Sequence, residues 1–114
     1  MLTLTEAQYQ KFLARDVENF VAAVADQFIA ERKEAGDVLE RPVVIARMRD
    51  AYDSGRDFGI TSTGHLIYMM YLSADAPGIF EDEVVQRYIR KPGATPEQRL
   101  DELMCVLKNK MRDD

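Results

Sequence analysis

What this chain has little of narrows its chemistry first. It holds one cysteine, Cys105, and one histidine, His65, among 114 residues. A lone cysteine cannot close an internal disulfide. A lone histidine excludes His-x3-His metal spacing, and there is no Cys-x2-Cys pair, so any histidine-centred metal site would have to recruit carboxylates. Basic residues are outnumbered, fifteen to twenty, giving a net charge of -5, and the first forty residues carry eight acids against four bases. A phosphate-binding surface usually announces itself as a basic patch, so nucleic acid is not an expected partner. No apolar run approaches the roughly 20 residues needed to span a bilayer, and no basic start followed by an apolar stretch marks a signal peptide. The expectation is a cytoplasmic protein with no membrane contact. No stretch alternates with period two, and no repeat or low-complexity tract interrupts the chain. Residues 1–114 therefore read as one helical domain, a length that supports a single core.

What is present is organised around Leu66–Leu72, seven consecutive apolar or aromatic residues. Thr61 or Ser62 can cap a helix there, with Ile60 stapling back onto its first turn. Because Leu66, Ile67, Met69, Met70 and Leu72 point to all sides, the helix is expected to be short, central and buried all round. Ahead of it, no proline or glycine occurs from Thr5 to Glu34, and Thr5-Glu6-Ala7-Gln8 has the form of a capping box. Tyr9, Phe12, Leu13, Val17, Phe20, Val21, Val24 and Phe28 make one broad stripe along this longest helix. Asp16 falls within the stripe, either at its wet edge or paired with Arg49, Arg56 or His65. Arg41-Pro42 opens a second helix with Val44, Ile45, Met48, Ala51, Tyr52 and Gly55 on one face, and Gly59 suits its left-handed cap. A fourth helix is expected to start near Phe80-Glu81-Asp82-Glu83 and to bury Val84, Val85, Tyr88 and Ile89. A fifth follows Thr95-Pro96-Glu97-Gln98, with Leu100, Leu103, Met104, Leu107 and Met111 on one face. The fold class is all-α, about five helices in crossed packing.

Catalytic constellations are thin. Cys105 could act as a nucleophile with His65 as base, yet no surrounding signature supports it, and a histidine in a first helical turn is ordinarily structural. The three acids Glu81, Asp82 and Glu83 lack the internal glycine of a calcium loop and instead suit a helix N-terminus. Gly55-Arg56-Asp57-Phe58-Gly59 lacks the Gly-Lys-Ser/Thr ending of a phosphate loop. Ala51–Leu72 has a helix-turn-helix outline, but its second helix would offer Ile67, Tyr68, Met69, Met70 and Tyr71 to base edges that need hydrogen-bonding side chains.

The succession Met48-Arg49-Asp50-Ala51-Tyr52-Asp53-Ser54-Gly55-Arg56-Asp57-Phe58-Gly59-Ile60-Thr61-Ser62, followed by an apolar helix, a turn, an acidic start and Thr95-Pro96-Glu97-Gln98-Arg99-Leu100, resembles small helical bacterial proteins encoded beside type VI secretion genes. Ala51, Phe58-Gly59-Ile60 and Thr61-Ser62 match at residue level, whereas Ile79-Phe80-Glu81-Asp82 departs from the aspartate and proline such relatives tend to carry. The resemblance implies association with secreted toxins or their loading machinery, without catalytic residues. The expected function is a non-enzymatic binding protein, an immunity or accessory protein for a type VI effector or its carrier, with no cofactor and no metal. Tyr9, Phe12, Asp16 and Phe20 are its expected partner-binding residues, and a homodimer would bury the same strip. Two alternatives are a small enzyme using His65 with nearby carboxylates and a nucleic-acid-linked regulator. An enzyme should show a closed polar pocket at His65, a regulator a basic face, and a binding module an exposed apolar strip.

Overall fold

The computed structural model describes the backbone of residues 6–112 and the side chains of residues 16–107. The cap at Thr5, the side chains of Tyr9, Phe12 and Leu13, and those of Lys108 to Arg112 lie outside the described residues. Five α-helices follow one another with short connections: α1 (Glu6–Glu34), α2 (Arg41–Phe58), α3 (Thr63–Asp75), α4 (Glu83–Ile89) and α5 (Pro96–Arg112). A single 3-10 turn, Ile79–Glu81, precedes α4. Among the described residues there is no strand.

Local chemistry accounts for the helix ends. Pro42 sits in the first turn of α2, where a missing amide proton removes nothing, and Gly59 closes that helix at φ 91°. Ser62 caps α3, and Asp82 accepts amide protons from Val84 and Val85 to cap α4. Thr95 and Gln98 form the reciprocal capping box, at 3.0 and 3.1 Å.

Packing then fixes the layout. Phe20 meets Tyr52 at a centroid distance of 6.0 Å and Asp26 pairs with Arg41, so α1 and α2 run antiparallel. The Ser73 hydroxyl donates to the Arg47 carbonyl, and a methyl group at Gly55 would collide with Leu66, so α2 and α3 are also antiparallel and in close contact. Phe28 packs edge-on to Tyr71 at 5.1 Å while Arg32 pairs with Asp75, which sets α1 parallel to α3. The buried side chains form one cluster that includes Val21, Phe28, Met48, Ile60, Met69, Met70 and Leu100.

Two expectations about burial are corrected. Helix α3 is central, with Met69 and Met70 fully buried, but it is not covered all round: Gly64, Tyr68 and Asp75 are exposed and Ile67, Tyr71 and Leu72 half-buried. Five helices do not supply enough neighbours to enclose all of its sides. Val84 is 72% exposed. With seven residues, α4 offers one inward face, which Val85 and Ile89 occupy four residues apart, and Val84 lies about 100° away.

Candidate functional site

The open side of α3 carries two adjoining concave surfaces. A cleft of about 500 Å³ is lined by Ser62, Gly64, His65 and Tyr68 on the α3 side, and by Leu100, Asp101, Met104 and Cys105 of α5. A second, of about 320 Å³, is lined by Gly64, Ile67, Tyr68, Tyr71, Leu72 and Asp75. The two meet at Gly64 and Tyr68. Together they make a trough along the open side of α3, bordered by α5 where the first cleft lies. The 13 residues of α3 give it a length of ~20 Å.

Its lining is mainly apolar, and Ser62, His65 and Asp101 engage one another. The Nδ1 atom of His65 is 2.7 Å from Ser62 Oγ and its Nε2 atom 2.9 Å from Asp101 Oδ1. With the ring proton on Nε2, that nitrogen donates to Asp101 and the Ser62 hydroxyl donates to Nδ1, while Oγ accepts the His65 amide proton at 3.4 Å. Every member of the row is then satisfied, and α3 is clasped to α5 across 36 residues of sequence. At the far end, Arg32 pairs with Asp75 and also lies over the Phe28 ring. Burial first, then the neighbouring Glu31 carboxylate, hold the Tyr71 phenol above its ordinary value.

A serine, a histidine and an aspartate in one hydrogen-bonded row suggest nucleophilic chemistry, but three features point elsewhere. Ser62 Oγ is committed as the cap of α3, Asp101 keeps 68% of its side chain exposed where an orienting carboxylate would be enclosed, and the cleft is open. Cys105 lines the same cleft as His65, yet both imidazole nitrogens already have partners, leaving none to take a thiol proton. Among the described residues no group of three or more His, Cys, Asp or Glu side chains is placed to hold a metal ion.

The sequence-predicted partner-binding residues lie on α1. Phe20 is half-buried against Tyr52, and Asp16 is exposed. Of the two places expected for Asp16, its exposure fits the wet edge of the stripe, and the alternative pairing is not found among the described residues: Arg49 is taken by Asp53, Arg56 donates to the Ile60 carbonyl, and His65 is taken by Asp101. A helix-wheel argument finds the face Asp16 shares but not the distance across which a partner must reach. The trough residues Gly64 and Tyr68 were missed because an unbroken apolar run hides which of its sides lacks a neighbour. The i, i+3 spacing of Ser62 and His65 was the one legible signal.

No helix among the described residues is long and apolar enough to cross a membrane. Compared with protein-family models, curated proteins and solved structures, the chain matches none.

Proposed function

We propose that this chain is a non-enzymatic protein-binding module, a cytoplasmic immunity or accessory protein that holds a type VI secretion effector or its carrier. The observation that carries the binding reading is the trough over α3, an open and mainly apolar concavity in which Ser62, His65 and Asp101 are hydrogen-bonded to one another. Such a surface has apolar area to bury in an interface and no unengaged acid or base aimed at a reacting atom. The type VI partner class is supported by the resemblance at Ala51, Phe58-Gly59-Ile60 and Thr61-Ser62. In the fold Phe58-Gly59-Ile60 and Thr61-Ser62 build the corner between α2 and α3, at the end of which the trough begins, while Ala51 is buried within α2.

Calorimetric titration of the chain against each purified product of its adjacent genes tests this reading. One product is expected to bind, and Gly64→Leu, which fills the floor of the trough, to weaken that binding at least roughly tenfold with helicity unchanged. The reading is overturned if no product binds at about 100 µM, or if the folded variant binds as wild type does.

A further inference from the structure

Two apolar side chains are more exposed than any other large ones among the described residues. Val38 is 96% exposed in the connection between α1 and α2, and Val84 is 72% exposed on α4. Each is accompanied by charges that have no partner, and the two sets are of opposite sign.

Val38 lies between Asp37 and Glu40 in a stretch that belongs to no helix, and the backbone at Glu40 is extended. Leu39 packs against the core, which leaves Val38 and Glu40 exposed on either side of it. Neither the Asp37 nor the Glu40 carboxylate has a hydrogen bond or ion pair among the described residues. Val84 belongs to the outward side of α4. There Val84, Arg87 and Tyr88 recur at i, i+3 and i+4 and, with Lys91 and Pro92 beyond the helix end, line an open concavity of about 620 Å³. Elsewhere the guanidinium groups are engaged. Arg32, Arg41, Arg49, Arg90 and Arg99 pair with carboxylates, and Arg47 and Arg56 donate to carbonyls. Arg87 is the one arginine with no hydrogen bond or ion pair among the described side chains, although Glu83 stands four positions before it on α4. Lys91 likewise has no hydrogen bond, and its charge reaches Glu102 only through space. Arg90 lines the same concavity but is taken by Asp57 and lies over the Phe58 ring.

The two surfaces sit at opposite ends of α2. The connection leads into Arg41, whereas Arg90 pairs with Asp57, a rise of ~24 Å further along that helix. We infer that stretch 37–40 of one copy docks on the α4 face of a second copy. Val38 covers Val84 and the ring of Tyr88, whose hydroxyl is fixed on Glu102, while Asp37 and Glu40 meet Arg87 and Lys91. The spacings are compatible, because two residues three apart in extended chain are ~10 Å apart and two residues four apart around a helical turn rise ~6 Å, a difference that arginine and lysine side chains span. A nucleic acid or an anionic membrane is the poorer occupant. Two unpaired bases beside the exposed Glu81 and Glu83, on a chain of net charge -5, repel a polyanion, whereas a stretch with two acids matches them. Each copy offers both surfaces, so the contact closes into a ring or continues as a chain. The patch is small, and association is therefore weak. The inference concerns a different face from the trough and does not depend on the binding reading.

Sedimentation velocity tests it. The average mass of wild type is expected to rise above that of the 13.0 kDa chain between about 10 µM and about 1 mM, and to rise less in high salt. Arg87→Glu and Glu40→Arg should each weaken self-association at least roughly tenfold with helicity unchanged, and the double variant, in which the charges are exchanged, should recover it. Glu40→Arg is the sharper of the two, since it brings the net charge closer to zero and would favour association if general repulsion were the control. Val38→Ser, which alters no charge, should weaken association as well. A wild type that stays monomeric overturns the inference, and if Arg87→Glu then loses capture of an adjacent-gene product, the α4 face belongs to a partner protein. A double variant no better than the single ones, or a Val38→Ser variant that associates as wild type does, overturns it too.

Discussion

Two glycines of this chain, both helical, stand in opposite surroundings. Gly55 lies buried in α2 where α3 comes closest: an added methyl group would sit 2.6 Å from Leu66 Cδ2 and 3.1 Å from Met69 Sδ. Both neighbours are buried, so neither can swing clear without disturbing the core. Gly64 has open space above it. Intrinsic propensity favours alanine over glycine by up to about 1 kcal/mol in either helix, but overpacking a filled core costs about 1–3 kcal/mol. Gly55→Ala is thus expected to lower stability by about 1–2 kcal/mol, and Gly64→Ala to leave it unchanged or raise it by a few tenths. In thermal melts of a chain this size, the former corresponds to a drop of roughly 4–8 °C. Opposite signs would show that packing and not propensity explains Gly55, and that Gly64 has no structural duty.

Among the elements, α3 bears most of the core while α4 is held at its edges. Met69 and Met70 are fully buried side by side, so truncating either leaves a cavity that close-packed surroundings do not fill. Met70→Ala is expected to cost about 2–5 kcal/mol, measured by urea denaturation with an unchanged m value. A midpoint equal to wild type would make α3 peripheral. By contrast, α4 has seven residues and relies on polar staples: the Tyr88 hydroxyl donates to Glu102 at 2.8 Å, and Arg99 donates to the carbonyls of Lys91 and Pro92. Its place depends on the loop before α5 and on the first turns of α5 as much as on its own burial.

The whole molecule is less compact than its length implies. Its radius of gyration is 15.9 Å, with extents of 56 × 42 × 23 Å, against about 13 Å for a compact domain of this length. The 29-residue α1 is 11 residues, about 16 Å, longer than the 18-residue α2 it packs against. The surface charge sets how this body responds to pH. The Arg41 hydrogen bond lowers the pKa of Asp26, and hydrogen bonds from Tyr88 and then Arg99 lower that of Glu102. Groups whose folded pKa is depressed contribute stability above their unfolded value and lose it as pH falls through the folded one. The thermal midpoint should therefore decline on acidification below about pH 4, and the double variant Asp26→Asn, Glu102→Gln should show a shallower decline. The Tyr71 and Tyr88 phenols, both raised, should act on the alkaline side, where stability is lost as pH climbs through their folded values. An acid limb identical in wild type and the double variant would show that these two carboxylates do not couple to folding.

The ends and faces of the helices were readable from the residues alone because caps and periodicity act within four positions of chain. Ser62, Asp82, Thr95 with Gln98, Pro42 and Gly59 each do in the fold what their neighbours in sequence imply. The apolar runs likewise named most of the core, since a side chain with no polar atom gains by burial wherever it lands. Only the tertiary structure decided which side of α3 stays open, that Val84 faces solvent, and that His65 answers to Asp101 and not to Asp16. Those outcomes depend on how many helices surround a face and on groups brought together from 36 positions apart, and no local preference encodes either.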